Sequence, residues 1–308
     1  MRAPSGDQFE IAGGGYRAVV TESGAALRTL EHAGRPLVDG FAEEEMTSGG
    51  RGQLLMPWPN RLRDGRYRWG GREHQLALTE PGRANASHGL VRWVAWTAEE
   101  HTGHSVSLSY RLMAQSGYPW TLDLHVVYDL SADGLTVTQT ASNTSTTPAP
   151  WASGAHPYLR VGAGPVDPLE LTLPAATRIL VDPERLLPVG TEEVEGTTYD
   201  FRVARPLRDL PLDDGFTDLV RDDDGTATAV LRDPRSGEGV ALWVDRHHTA
   251  LQVYSADEVA ATARRSLAVE PMTAPADAFA SGTGVVTLGA AGEPDDSFSA
   301  TWGIRALD

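Results

Sequence analysis

The sequence predicts an all-β protein, a large antiparallel sandwich of layered sheets with few short helices. Apolar and polar residues alternate with a period of two over much of the chain, sending alternate side chains to opposite faces of a strand. Turn residues punctuate these runs at short intervals. Helical periodicity is thin, and no Gly-rich phosphate loop stands between a strand and a helix. The chain has 308 residues, 41% of them hydrophobic, enough for one large β core. No linker-like segment and no repeat of fixed period divides it, so residues 1–308 are expected to form a single domain.

The strands follow in order. Gly13-Gly14-Gly15 precedes an extended run and reads as a turn. Over 105–112, Val106, Leu108, Tyr110 and Leu112 share one face. Gly117-Tyr118-Pro119-Trp120 reads as a rigid turn with a core aromatic. Over 121–130, Leu122, Leu124, Val126 and Tyr128 alternate in the same way, and 135–140 follows after Ser131-Ala132-Asp133-Gly134, which makes a hairpin. Later strands are expected over 169–173, 226–232, 240–244, 250–254, 266–269 and 284–288. Asp222-Asp223-Asp224-Gly225 is expected to close another hairpin; no second ligand cluster follows it, which argues against a calcium loop. Ser255-Ala256-Asp257-Glu258 predicts the cap of one short helix running to Ala263.

Composition excludes several chemistries. There is no cysteine, hence no disulfide, thiolate metal site or cysteine nucleophile. All 26 basic residues are arginine, so Schiff-base chemistry, lysine-anchored pyridoxal phosphate and a P-loop lysine are absent too. Proton transfer falls to His, Asp, Glu and Tyr. The formal charge is −16, a field that repels nucleic acid and anionic membrane and favours a small-molecule partner. The first fifteen residues hold no apolar signal-type region, and no run approaches a membrane span. A cytoplasmic location is the expectation.

Six residues are candidates for chemistry. His156 lies in Gly154-Ala155-His156-Pro157-Tyr158, where Pro157 forces it into an extended backbone and removes a donor, placing it outside the middle of a central strand. Its imidazole there is suited to exchanging a proton in a cleft. Asn60 and Arg61 occupy the Pro-punctuated segment Pro57-Trp58-Pro59-Asn60-Arg61, expected to expose aromatic character. The Arg61 guanidinium can fork onto two hydroxyls or pair with Asp64. His88 precedes Gly89, which allows close backbone approach. Asp213, ahead of the aromatic Phe216, offers a carboxylate in an arrangement suited to gripping hydroxyls; a solvated turn is the competing reading. Glu270 ends the apolar run Leu267-Ala268-Val269, where desolvation raises a carboxyl toward the range of a useful base; pairing with Arg264 or Arg265 is the competing reading.

The ordered series Asn60-Arg61, His88-Gly89, Gly117-Tyr118-Pro119, His156-Pro157-Tyr158, Asp213-x-x-Phe216 and Glu270-Pro271 resembles the aldose 1-epimerase (galactose mutarotase-like) family across roughly residues 50 to 280. The resemblance implies a large β-supersandwich and an isomerase that needs no cofactor or metal, acting on a free monosaccharide. It implies Glu270 as the base at the anomeric hydroxyl and His156 as the acid at the ring oxygen. His88 would bond a ring or hydroxyl oxygen, Arg61 and Asp213 would grip hydroxyls, and Asn60 would shape the Arg61 loop. Leu159 and Leu90 stand where many relatives carry an aromatic residue and a glycine, which bears on substrate preference. Three alternatives remain: a hexose-6-phosphate mutarotase using Arg61, Arg63 and Arg92, a glycoside hydrolase using Asp213 and Glu270, and a non-catalytic sugar-binding protein.

Overall fold

Two large antiparallel sheets carry the architecture of the computed structural model, which describes residues 2–308. The nine-stranded sheet runs in the order Thr97–His101, Ser105–Leu112, Leu122–Ser131, Gly134–Asn143, Ser297–Leu307, Gly239–Val244, Ala227–Arg232, Glu170–Thr172 and Arg205–Pro206. Its strands form where the period-two pattern is cleanest: over Leu122–Ser131, Leu122, Leu124, Val126, Tyr128 and Leu130 are buried and the intervening residues are half-exposed. The turn after Ser131 closes the expected hairpin, with Ser131 opposite Gly134. Ser297–Leu307 joins the two halves of this sheet by pairing with both Gly134–Asn143 and Gly239–Val244.

The eight-stranded sheet runs Pro188–Glu193, Ala175–Val181, Asp213–Leu219, Ala250–Tyr254, Leu267–Met272, Gly154–Ala155 and Leu54–Leu55, with Tyr158–Leu159 also paired to Leu267–Met272. The two sheets contribute to one apolar core, Val126 and Trp302 from the first meeting the same cluster as Phe216, Leu251 and Val269 from the second. This is the layered arrangement the alternation predicts. A smaller four-stranded sheet, Gln8–Gly13 to Arg35–Pro36, meets Ser105–Leu112 and Leu122–Ser131 of the nine-stranded sheet, and the Gly-rich turn links its first two strands. Tyr118 is fully buried, its hydroxyl donating to Pro150 O at 2.7 Å, as a rigid turn with a core aromatic requires.

Three local expectations differ. Residues 255–263 form turns and no helix. Ser255 cannot cap one, because its Oγ accepts the Leu212 N–H at 2.9 Å and its backbone N–H donates to Leu212 O. The Asp222–Gly225 turn is real, with Gly225 N–H donating to Asp222 O at 2.9 Å, but it links the two sheets. Asp213–Leu219 before it and Ala227–Arg232 after it pair with different neighbours. Trp58 is 2% exposed and packs toward Phe279 with ring centroids 5.8 Å apart, so the Pro-flanked segment turns its aromatic inward.

Candidate active site

Sheet register builds the site. In an antiparallel sheet directly opposed residues project from the same face. Gly215 opposes Gln252, and Gln252 opposes Glu270, so the three form a row across adjacent strands. Asp213, two residues before Gly215, projects from that face as well, and Gln252 Nε2 donates to Asp213 Oδ1 at 2.7 Å. On the far side of Glu270, Gly154 opposes Met272 and Tyr158 opposes Ala268. Counting inward along both strands puts His156 opposite Glu270. Pro157 interrupts the ladder between those short strands, as its missing N–H requires. The result is a contact of 3.3 Å between His156 Nε2 and Glu270 Oε1.

The His156 ring is clamped. Its backbone N–H donates to Gln53 O at 3.0 Å and its carbonyl accepts the Gly52 N–H at 2.9 Å. The Tyr158 ring stacks on the imidazole at 4.9 Å and 12°, and the Tyr158 hydroxyl donates to Gly49 O at 2.8 Å. Gly50 lies against the ring with φ of +76°; a Cβ there would sit 2.7 Å from His156 Cδ2. Only glycine satisfies both the left-handed backbone and the close approach.

Asn60, Arg61 and His88 arrive from a second direction, at the adjoining ends of the paired strands Arg61–Arg63 and Asn85–Ser87: Asn60 precedes the first and His88 follows the second. Asn60 adopts φ of +54° and His88 φ of +61°, left-handed positions that asparagine tolerates better than most residues. The Asn60 N–H donates to His88 Nδ1 at 3.2 Å, and the His88 N–H returns to Asn60 O at 2.9 Å. With Nδ1 accepting, the neutral His88 ring carries its proton on Nε2. Asn60 Oδ1 accepts the Arg61 N–H at 2.7 Å. Arg61 Nε donates to Glu80 Oε2 at 3.0 Å, and its Nη1 stands 3.9 Å from Asp213 Oδ2.

These contacts settle the competing pairings. Arg61 does not pair with Asp64, whose carboxylate bonds Arg185 at 2.9 Å. Glu270 pairs with neither Arg264, which is taken by Asp167 and Asp257, nor Arg265, which is taken by Asp39. Asp213 belongs to a strand and not to a solvated turn. Arg63 bonds Asp277 at 3.2 Å and does not converge with Arg61 and Arg92.

All six expected residues line one cavity of about 330 Å³. Glu80, Arg92, Trp93, Tyr254 and Glu258 line it as well. Of these only Arg92 stands out in the sequence as a binding candidate, as one arginine among several; Glu258 reads there as part of a helix cap and Tyr254 as a strand residue, and Glu80 and Trp93 lie in segments with no motif. Burial, the Asp213 charge beside it and an opposing pull from Arg61 leave the Glu270 carboxyl well above the usual range. Its Oε2 is buried with no protein partner. Burial, then the positive charges of Arg92 and Arg51, pushes His156 down to about 3. His88 is driven well below its ordinary value by burial, then by His156 and Arg92. Asp213 is raised by burial despite Arg61. Burial works against the Arg61 charge, but Glu80 and Asp213 outweigh it and raise its pKa.

The cavity therefore combines two neutral histidines, a carboxyl poised to give or take a proton, and an anchored guanidinium–carboxylate pair, a set suited to moving protons between oxygens of a polyhydroxylated ring. Among the described residues no cluster of three or more histidine, aspartate or glutamate side chains is arranged to hold a metal ion. Among the described residues no helix is long and apolar enough to cross a membrane.

Comparison with known proteins places this arrangement. The family model described as aldose 1-epimerase matches residues 7–296. The uncharacterized protein YihR of Escherichia coli (strain K12) is 35% identical over 305 residues, covering 98% of this chain and 94% of that protein. Among solved structures, the GalM/aldose epimerase homologue from C. elegans superposes with a TM-score of 0.85 at 20% identity, covering 98% of this chain and 99% of that one. The galactose 1-epimerase from Lactobacillus acidophilus gives a TM-score of 0.78 at 22% identity, covering 95% and 92%. At those identities the two structures share the fold.

Proposed function

The chain belongs to the aldose 1-epimerase family, and from that premise we propose that it interconverts the α and β anomers of a free aldopyranose by acid–base ring opening and reclosure. The observation that carries this reading is the 3.3 Å contact between His156 Nε2 and Glu270 Oε1 on the cavity wall. The anomeric hydroxyl oxygen and the ring oxygen are bonded to the same carbon. A base and an acid that serve both must therefore sit side by side.

The Glu270 carboxylate takes the proton of the anomeric hydroxyl while the C1–O5 bond breaks. His156 in its protonated form gives a proton to O5, and C1 becomes an aldehyde. Rotation about C1–C2 presents the other carbonyl face, O5 attacks it, and both protons return along the same path. The pair holds one proton in total throughout. In the closed-ring stage it resides on His156, and in the open-chain stage on Glu270. Burial favours the neutral partners, protonated Glu270 and neutral His156, so it lowers the energy of the open-chain stage relative to the closed one. Starting the reaction requires one internal proton transfer across the 3.3 Å contact. His88 donates its Nε2–H to a ring or hydroxyl oxygen, and Arg61 with Asp213 holds equatorial hydroxyls and fixes the register of the sugar.

Polarimetry of freshly dissolved α-D-glucose and α-D-galactose tests the reading. Protein at catalytic concentration accelerates the drift to equilibrium. Calorimetric binding of the sugar with an unaltered drift would instead make the protein a non-catalytic sugar binder.

A further inference from the structure

Among the described residues Arg92 is the one arginine of the cavity without an acidic partner. Arg61 is bonded to Glu80 and lies near Asp213. Arg51, behind His156, is bonded to Asp39 at 3.2 Å. No carboxylate supports the Arg92 charge, and burial alone lowers its pKa. Its guanidinium carbon lies 5.9 Å from the centroid of the Trp93 ring. A desolvated cation left unpaired is costly, and proteins rarely keep one unless a ligand completes it. The segment is nevertheless held firmly. Buried Gln53 donates to Arg92 O at 2.8 Å, and the Leu90 N–H donates to Met56 O at 2.6 Å.

The position of Arg92 indicates what completes it. The Arg92 carbonyl accepts from Gln53 Nε2 at 2.8 Å and the Gln53 carbonyl accepts the His156 N–H at 3.0 Å, so Gln53 ties the Arg92 backbone to that of His156. Arg61 also acts on both histidines, but its guanidinium is held by Glu80 and lies near Asp213, which leaves Arg92 as the unpaired cation on the histidine side. In the mechanism above the histidine side serves the ring oxygen. That oxygen is bonded to C5, and C5 carries the exocyclic carbon C6. A substituent on C6 therefore hangs on the Arg92 side. Trp93, 55% exposed at the same edge of the cavity, adds an apolar wall there.

We propose that this site takes aldopyranoses bearing a single negative charge at the C6 position, as a carboxylate, sulfonate or sulfate ester, with Arg92 as the residue that binds the anion. The charge count sets the single charge. One guanidinium is unmatched, and Glu80, Asp213 and Glu258 also line the cavity, so a doubly charged phosphate meets more repulsion than one arginine offsets. This inference rests on the anomer-exchange reading for the placement of C6.

Anomer exchange measured by NMR on D-glucose, D-glucuronate, glucose 6-sulfate and glucose 6-phosphate tests it. Wild-type kcat/KM is expected to be at least tenfold higher for the two monoanions than for glucose, with the 6-phosphate below the 6-sulfate. In Arg92→Gln the monoanion-to-glucose ratio falls roughly 10–10²-fold, the worth of a charge-assisted contact, and Arg92→Lys restores part of it. Should the variants fail to fold, wild type decides: added NaCl raises KM for glucuronate and leaves KM for glucose flat. Exchange of glucose with no monoanion preference, or an Arg92→Gln ratio equal to wild type, overturns the proposal while anomer exchange stands. If no sugar is exchanged, the anomer-exchange reading itself fails. Calorimetry with glucuronate then decides: binding abolished by Arg92→Gln keeps the anion site, and absent or unaltered binding removes it.

Discussion

His156 Nε2 and Glu270 Oε1 stand 3.3 Å apart, brought together by opposing positions on two strands distant in sequence. Replacing Glu270 by Gln keeps the shape and removes the base. Turnover is expected to fall roughly 10²–10⁴-fold with KM for the sugar little changed, measured by polarimetry. The same variant should melt higher. A carboxyl whose folded pKa is raised contributes stability that is present below its unfolded value and lost as pH rises through the folded value. The gain from Gln therefore grows with pH from about the ordinary glutamate value of 4.5 upward, and reaches on the order of 1 kcal/mol. A variant that loses activity without this pH-dependent gain would show that Glu270 is not a desolvated carboxyl.

Sharing one proton predicts the pH profile. Burial and neighbouring arginines put His156 at about 3, while burial and Asp213 raise Glu270 well above the ordinary carboxyl value. Adding a second proton to the pair requires pH near the His156 value, and removing the only one requires pH above the raised Glu270 value. The kcat/KM for a neutral aldose should be flat between those limits and decline on the alkaline side as the proton is lost. Activity that climbs with pH throughout would mean that the reaction needs only a base.

The strands were legible because alternation is a local property: Leu122–Ser131 and Gly134–Asn143 can be read residue by residue. The extended backbone at His156 was legible for the same reason, since Pro157 imposes it directly. Its partnership with Glu270 rested on family resemblance alone. Register between strands so far apart is set by the whole sheet, and no local spacing encodes it. The same holds for charge pairing. Arg61, Arg63 and Arg92 look alike in sequence, yet Arg61 lies with Glu80 and Asp213, Arg63 with Asp277, and Arg92 with no carboxylate. Trp58 was misread because flanking prolines suggest a surface turn, while Phe279 supplies an apolar seat from the other end of the chain.

Arg61→Ala should raise KM and lower stability together. Its guanidinium is mostly buried between Glu80 and Asp213, so truncation removes a hydroxyl contact and leaves two carboxylates facing each other. Loss of one partner from a buried pair costs about 3–5 kcal/mol; partial exposure here reduces that to a smaller figure, roughly 1–3 kcal/mol. The double variant Arg61→Ala/Glu80→Gln should recover stability without recovering KM. Recovery of both would assign Arg61 to the scaffold alone.

Asn60 has three tasks, which distinct substitutions separate. Its left-handed backbone at φ of +54° favours Asn or Gly, its N–H holds His88 Nδ1, and its Oδ1 accepts the Arg61 N–H. Asn60→Gly keeps the backbone geometry and the bond to His88 but loses the bond to Arg61. Asn60→Ala loses that bond and adds a Cβ in the left-handed region, at about 1–2 kcal/mol. The Gly variant should therefore melt above the Ala variant and retain turnover, because the His88 ring keeps its tautomer and position; its loss should appear in KM, through a looser Arg61. In the Ala variant, relief of the strain rotates the peptide that donates to His88, so kcat should fall as well. Thermal melts beside kcat and KM for both proteins check this split. Equal kinetic losses in the two would place the function of Asn60 in its side chain and not in the backbone donor that orients His88.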